Sequence, residues 1–379
     1  MHGPPPAAVD STALAARRLA AIDRLVARAA REIQPLATVT PIDVRLERDR
    51  LVGEWLAGRH CAPRWRYASR DHDELRCALE AAERRLTHSV DSPLERLYLG
   101  KIRELSLEAA ICASAGTRDI GPLARQRFAP EAEGVSAIAS ALCARWLDEC
   151  DRPSPPGRLT ASDDPHPESL LSQMRQAVGR LRLPFAVLPT PALASLAATG
   201  ERVILIATGR ALSPEDTARV VIHEIEGHAL PRTRSIEARS VLFSAGTARG
   251  VDHQEGRALL IEERAGLLGR RRRRHLAARH RAVEAMLDGA SFLDVARALV
   301  DTHGIEPSEA VVVAERAFRG GDGQCPGLGR ERVYLESFIQ VRAHLEASPD
   351  DEQVLASGQV ALAAIEALRP LTPAPQEHR

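Results

Sequence analysis

Apolar side chains recur with helical spacing along most of the chain. The pattern predicts helices over residues 11–33, 71–86, 93–115, 131–150, 169–181, 213–231, 253–274, 276–287, 291–300, 308–318, 332–345 and 351–368. The segment 44–54 is compatible with either a strand or a short helix. Clear strand patterns occur only in the apolar runs 185–188 and 202–207. We therefore expect a mostly α fold with a small β-sheet, which belongs to the α+β class.

Two loop-like stretches interrupt the helical pattern. Residues 151–157 and 161–167 are rich in Pro, Ser and Asp, and they form the best candidate for a boundary between regions. The prediction is a disordered lead over 1–10, a helical N-terminal region over 11–150, a second region over 168–368 and a tail over 369–379. The second region contains both predicted strands and the segments with candidate chemistry.

Composition and charge exclude several classes of partner. The 379 residues carry 51 basic and 51 acidic side chains, and only 3% are aromatic, so we expect no nucleic-acid partner. No apolar segment is long enough to span a bilayer, so we expect no membrane partner. Six scattered cysteines without a C-x-x-C pair, and no secretory signal, indicate a cytoplasmic protein. We interpret the run Arg270–Arg274 as the solvated C-terminal end of a helix, where the dipole favours cations.

The segment His223–His228 has the pattern H-E-x-x-x-H, which suggests a metal site. Two imidazoles about one helical turn apart can share a metal ion, and Glu224 beside the first is placed to activate water. In a regular helix, residues five apart point about 140° away from each other. A local over-long turn would bring them together, and Gly227 would permit it. The alternative is an ordinary helix with two half-buried histidines and solvated glutamates.

A catalytic zinc site needs a third protein ligand and one open position. Glu255 lies on the next predicted helix, one loop after His228, where a third ligand of a His₂Glu site could come from. Glu262, Glu263 and His253 are alternative ligands. All four would also fit an ordinary acidic first turn or an exposed helix face.

Several segments share a pattern with a known family. They are His223–His228, Gln254–Ala258, Arg316–Gly320 and Arg330–Leu335, with weaker similarity at 63–67, 104–105 and 115–117. Through them, and over roughly residues 50 to 370, the chain resembles the flavohaemoglobin-expression-modulating QEGLA-motif proteins and the related microtubule-associated tyrosine carboxypeptidases. Two departures concern the substrate rather than the metal: Arg257 replaces an apolar residue of the QEGLA motif, and Glu336-Ser337 stand where a glycine usually follows the Tyr-Leu pair.

The resemblance implies a zincin-like metallopeptidase fold with an H-E-x-x-x-H active helix beside a small sheet. The catalytic region would then be 168–368. In the eukaryotic relatives the activity removes a C-terminal Tyr from a protein. Carried over by position, His223, His228 and Glu255 are the ligands of Zn²⁺, and Glu224 is the catalytic base.

Three further side chains are candidates for handling a substrate. Tyr334 could donate to the carbonyl oxygen as charge develops on it, although a half-buried packing role fits equally well. Arg316 and Arg319 could hold the terminal carboxylate of a peptide, because the planar guanidinium matches that group. In a chain this rich in arginine, both could also be surface residues.

Two functions follow from these residues. The first is a zinc-dependent carboxypeptidase that acts on the C-terminus of a peptide or protein. The second is a non-catalytic regulatory or scaffold protein that retains a structural metal site. Glu224 favours the enzyme, because a structural site needs no base and usually closes its fourth position with another protein ligand.

Overall fold

The computed structural model describes residues 11–68, 70–88, 92–149, 158–191 and 193–374. The described chain is mostly helical, as predicted. Its α-helices are α1 (Ser11–Glu32), α2 (Pro35–Thr38), α3 (Val44–Leu56), α4 (Asp73–Thr87), α5 (Pro93–Ala113), α6 (Ile120–Arg127), α7 (Val135–Asp148), α8 (Leu170–Arg180), α9 (Pro214–Ile222), α10 (Leu230–Glu237), α11 (Gly250–Arg264), α12 (Arg270–Leu287), α13 (Phe292–Asp301), α14 (Pro307–Phe318), α15 (Val333–Ala347), α16 (Glu352–Leu355) and α17 (Ile365–Leu368). None of the helices in these ranges combines the length and the hydrophobicity needed to cross a membrane.

Some predicted segments fall outside the described residues. These are the lead 1–10, the first loop-like stretch 151–157 and the last five residues of the tail. The segment 44–54, whose pattern is compatible with a strand or a helix, is the helix α3.

Within the described residues, short strands between residues 160 and 212 form two small sheets, one of two strands and one of three. The strands are β1 (Thr160–Ala161), β2 (Ala186–Thr190), β3 (Ala197–Thr199), β4 (Val203–Ala207) and β5 (Ala211–Leu212). The smaller sheet consists of β1 and β5, and the larger one of β2, β4 and β3. In the larger sheet, β4 lies in the middle, parallel to β2 and antiparallel to β3. The two apolar runs that predict strands are β2 and β4, whereas β3 is too short to give a clear pattern. Buried Ile204 and Ile206 of β4 join a cluster with Leu170 and Met174 of α8 and Ile225.

The main hydrophobic core combines both predicted regions of the chain. Helix α12 packs against α7, and α11 packs against α15. Ile102 and Leu105 of α5 belong to the same cluster of buried residues as Phe318 and Phe338 from the C-terminal half. Helices that precede residue 150 therefore share one hydrophobic core with the second region.

The boundary between α11 and α12 corrects two predictions. The expected helix over 253–274 ends at Arg264, because Gly266 adopts a left-handed φ of 71° just after the helix. The run Arg270–Arg274 therefore begins α12 instead of ending a helix, and its cations lie at the unfavourable end of the dipole. Carboxylates from other elements offset this, with Glu262 bound to Arg272 at 3.0 Å and Glu149 bound to Arg273 at 2.6 Å.

The predicted helix 351–368 is also broken. The chain forms α16, a short 3₁₀ turn at Leu362–Ala364 and then α17. Gly358 lies between α16 and this turn, and a Cβ atom there would come within 2.3 Å of the Phe243 carbonyl oxygen. The connecting segment passes so close to Phe243 that residue 358 has no room for a side chain.

One long helical segment contains a local over-long turn, as predicted. Ser213 caps the start of α9 by accepting a hydrogen bond from the Asp216 amide at 3.1 Å. A π-helix follows at His223–Ala229, and α10 continues the segment as far as Glu237. The prediction that the helix stops near Pro231 is therefore wrong, because Pro231 is accommodated in the first turn of α10.

Two glycines allow α11 to pack unusually closely on both sides. A Cβ atom on Gly227 of the π-helix would lie only 2.7 Å from the Ala258 Cβ of α11. A Cβ atom on Gly256 would lie 2.4 Å from the backbone of Ser337 in α15. Gly227 is thus required by close packing against α11, in addition to any backbone freedom that it provides.

The contact between Gly227 and Ala258 can be tested with a double-mutant cycle. We expect Gly227→Ala to lower the free energy of unfolding by about 1–3 kcal/mol through overpacking. Ala258→Gly removes the atom that the new methyl would meet, so the double variant should lose at least about 1 kcal/mol less than the sum of the single changes. Denaturant unfolding of the four proteins measures this.

Gly53→Ala in α3 is the matched control for that cycle. A Cβ atom at Gly53 would meet nothing within 4 Å in the described part of the chain. Gly53→Ala should therefore be neutral or stabilising by up to about 1 kcal/mol. Strict additivity of Gly227→Ala and Ala258→Gly would contradict the proposed packing role.

Candidate metal centre

The three predicted ligands lie together at one wall of a cavity. The Nε2 atoms of His223 and His228 are 3.3 Å apart, which the π-helix makes possible by stacking residues five apart. Oε2 of Glu255 lies 3.7 Å from the first of these nitrogens and 3.9 Å from the second. Ligand atoms held about 2.1 Å from a tetrahedral zinc ion are separated by about 3.4 Å, so the spacing suits such an ion.

The remaining ring nitrogens fix how the two imidazoles are oriented. Nδ1 of His223 donates to Glu262 at 2.7 Å, and Nδ1 of His228 donates to the side-chain carbonyl of Gln254 at 3.0 Å. Both oxygens are acceptors, so the Nδ1 atoms carry protons, and the Nε2 atoms face the common point. Metal-binding histidines are typically held by hydrogen bonds of this kind.

The alternative ligands have other partners. Glu262 is fully buried and is held by Arg272 through two contacts of 3.0 Å. Glu263 faces Arg342 at 3.3 Å, and Nε2 of His253 lies 3.1 Å from Glu131. Within the described residues, the group of three or more side chains able to hold a metal is the one formed by both histidines and Glu255.

Charge at the site keeps Glu255 ionised. Burial alone would raise its pKa, but His223 and Arg330 hold the pKa well below its usual range. Nη2 of Arg330 lies 3.1 Å from the Oε1 atom of Glu255, so the Oε2 atom stays directed at the histidines. Burial lowers the pKa of His223, yet hydrogen bonds with Glu255 and Glu262 outweigh burial and raise it to about 10. A proton therefore competes with any metal ion for this imidazole.

Glu224 lies beside the predicted ligands and is also buried. Its Oε2 atom accepts a hydrogen bond of 2.7 Å from the Thr199 hydroxyl at the end of β3. Both residues line the same cavity as the histidines. The Glu224 carboxylate is therefore buried and held by the sheet. The ordinary-helix alternative required a solvated glutamate at this position.

The cavity has a volume of about 1190 Å³, and the three candidate residues for handling a substrate lie on its walls. Tyr334, Arg316 and Arg319 all line it. The Tyr334 hydroxyl accepts a bond of 3.3 Å from Nη1 of Arg330, the same arginine that binds Glu255. Its ring packs 4.0 Å from the Arg279 guanidinium, so Tyr334 has a packing role as well as a place beside the ligand cluster.

Arg316 and Arg319 are held by buried carboxylates and are not exposed on the surface. Arg316 pairs with Glu331 at 3.2 Å, and Arg319 pairs with Glu315 at 2.8 Å. Each nevertheless has a buried nitrogen that finds no hydrogen-bond partner among the described residues, namely Nε of Arg316 and Nη2 of Arg319. Each guanidinium group therefore keeps one buried N–H that no described residue engages.

Sequence analysis missed several residues of this site. Thr199 has no local signal, because its strand is too short to give a clear pattern. Arg330 stands out only as part of a shared segment, and its contact with Glu255 depends on a distant helix. Glu262 is an alternative ligand by sequence, but in the structure it contacts Nδ1 of His223 and orients that imidazole. Gln254 belongs to the recognised motif, but the sequence gives it no role.

A comparison with protein families gives a match over most of the chain. A family model described as microtubule-associated tyrosine carboxypeptidase matches residues 56–374. The matched range includes the predicted ligands, Glu224, Tyr334 and the two candidate arginines. No curated protein matched the chain. Since the match covers most of the sequence, the chain belongs to the microtubule-associated tyrosine carboxypeptidase family, and a carboxypeptidase-type function follows from that membership.

Proposed function

We propose that the protein is a zinc-dependent carboxypeptidase that removes a C-terminal residue from a peptide or protein. The observation that carries this proposal is the convergence of His223, His228 and Glu255 with Glu224 beside them in one cavity. The π-helix with its H-E-x-x-x-H pattern would be the active helix of a zincin-like peptidase. The narrower relation to the QEGLA-motif proteins and the cytoplasmic location stay predictions.

The donor set supports zinc as the metal. Two neutral imidazole nitrogens and one carboxylate oxygen are a common ligand set of catalytic zinc sites, in which a further position is open to water or substrate. Bound there, zinc would supply a Lewis acid that makes water more acidic and polarises a carbonyl group. In the described part of the chain, no fourth histidine, cysteine or acidic side chain joins this cluster.

Glu224 is the residue that we assign as general base. It would take a proton from the attacking water and pass it towards the leaving amine. The hydrogen bond from Thr199 fixes the carboxylate, so little reorientation is needed when the proton moves. A scaffold protein with a purely structural metal site would have no use for such a base.

The charge of the cavity lining supports a carboxylate-bearing substrate. Among the described residues, ten arginines line the cavity against four acidic residues: Arg48, Arg210, Arg219, Arg232, Arg271, Arg272, Arg279, Arg316, Arg319 and Arg330, and Asp216, Glu224, Glu255 and Glu309. We assign Arg316 and Arg319 to the terminal carboxylate of the substrate. Tyr334, held by Arg330, is the proposed donor to the carbonyl oxygen on which charge develops.

Among the described strands, the free edge of the three-stranded sheet favours a peptide, and not a small molecule, as the substrate. In the larger sheet β3 pairs with β4 on one side, and Ala197–Thr199 also line the cavity. An extended peptide can pair with an unpaired strand edge through its backbone. That arrangement would bring the last peptide bond of the substrate between the ligand cluster and the arginines.

Metal content is the first test of the ligand assignment. We expect about one zinc ion per chain in the purified protein, and loss of that zinc in both His223→Ala and Glu255→Ala. Elemental analysis after removal of loosely bound metal measures this. Glu263→Ala, on the same helix outside the cluster, is the matched control and should retain zinc. Zinc retained without Glu255 would contradict the assignment.

The role of Glu224 is tested with Glu224→Gln, which keeps the size of the side chain. We expect zinc content to be unchanged and hydrolysis to fall at least about 100-fold, because general-base catalysis contributes that much. Release of single residues from a library of peptides that differ at the C-terminus, followed by mass spectrometry, measures hydrolysis. Equal activity of the two proteins would favour the scaffold function.

The assignment of Arg319 predicts a change in substrate recognition. Arg319→Gln should raise KM about 10- to 100-fold for peptides with a free C-terminal carboxylate, since hydrogen bonds to charged groups are worth that much. Thermal unfolding of the variant checks that the buried Glu315 remains accommodated through Arg48. An unchanged KM in a folded variant would assign the carboxylate to other residues.

A further inference from the structure

The junction between the π-helix and α10 has a gap in its backbone hydrogen bonding. Within the π-helix, amides bond to the carbonyl five residues earlier, and the Leu230 amide does so with Ile225. The next bond in this series would join residue 231 to the carbonyl of Glu226. Residue 231 is proline, which has no N–H to donate.

Arg257 of α11 supplies a donor at this point. Its Nη1 atom donates to the Glu226 carbonyl oxygen at 3.1 Å, while its Nε atom binds Glu352 at 2.8 Å. Arg257 is buried, and its position follows from the packing of α11 against the π-helix. A buried charged side chain is costly unless its donors are used, so its bond to a main-chain carbonyl is a fixed part of the structure.

We propose that Arg257 is a positioning residue that replaces the missing amide of Pro231 and so holds the over-long turn of the metal centre in shape. The turn decides how far His223 and His228 are separated, and Arg257 is two residues from Glu255. A single side chain therefore ties the helix that carries both histidines to the helix that carries the third ligand. This inference rests on the proposed metal site and adds a residue that does not contact the metal.

The competing explanation is that Arg257 only forms an ion pair with Glu352. Glu352 also binds Arg264 at 2.8 Å, so it keeps a cationic partner when Arg257 is removed. The two roles can be separated, because the Glu226 carbonyl and Glu352 contact different nitrogens of the same guanidinium. A change at Pro231 affects the first role alone.

The experiment compares zinc affinity in the full chain, measured by competition with a chelator. We expect Arg257→Met to weaken zinc binding about 10- to 100-fold, as removal of supporting groups around a metal typically does. Pro231→Ala restores an N–H at residue 231, so the double variant Pro231→Ala/Arg257→Met should recover at least half of that loss on a logarithmic scale. Pro231→Ala alone should bind zinc within about threefold of the wild type.

Two controls test the ion-pair explanation. Glu352→Gln removes the ion pair and leaves the bond to the Glu226 carbonyl, and Arg264→Met removes the other cation from Glu352; both should bind zinc like the wild type. The visible spectrum of the Co²⁺-substituted protein should change in Arg257→Met and return towards the wild type in the double variant. A purely structural ion pair would not produce that recovery.

The outcomes are distinguishable from those of the proposed function. A wild-type protein that binds no zinc would overturn the metal site itself. A wild type that binds zinc, with equal affinity in Arg257→Met or no recovery in the double variant, would overturn the role of Arg257 alone. If Arg257→Met does not fold, the double variant must fold and bind zinc for the proposal to stand.

Discussion

The close contact between α11 and the π-helix is the constraint on which the candidate site depends. It exists because Gly227 has no side chain and Ala258 has a small one. With the two helices this near, one face of α11 presents Gln254, Glu255 and Glu262 to the two histidines. A larger residue at position 227 or 258 would move the candidate ligand Glu255 together with Gln254 and Glu262, since all three belong to one rigid helix.

The two glutamates on that face differ in role because their cations differ. Glu262 is held by two nitrogens of Arg272, so both its oxygens are engaged and it can only orient the neighbouring imidazole. Glu255 is bound through one oxygen by Arg330, which leaves the other directed at the histidines. A buried carboxylate needs such compensation. The contacts from each arginine are therefore consistent with Glu255, and not Glu262, as the candidate ligand.

The spacing of the candidate ligands can be read from the sequence, whereas the residues that hold the candidate ligands and Glu224 in place cannot. Two histidines five residues apart can share a metal ion only in an over-long turn, so the H-E-x-x-x-H pattern suggests such a turn, with an ordinary helix as the alternative. The structure contains the over-long turn as a π-helix. Thr199 could not be predicted, because its three-residue strand forms only by pairing with β4. The break at Gly266 escapes prediction because helical spacing continues on both sides of a short connection. The contact of Arg330 with Glu255 joins residues 75 positions apart, and apart from its place in the shared segment Arg330–Leu335 nothing distinguishes Arg330 among 51 Lys and Arg residues.

The arginines of the cavity show why this side chain suits a pre-formed site better than lysine. Arg319 uses one edge of its guanidinium on Glu315, which is fully buried, and keeps a nitrogen that no described residue engages. Arg316 is shared in the same way with Glu331, whose pKa burial would raise but Arg279 and Arg316 hold well below its usual range. A lysine ammonium has no fixed fork, so it could not be anchored on one edge and offer another in a defined direction. The buried glutamates therefore orient these cations, and in the proposed function this orientation would lower the entropic cost of binding an anionic group.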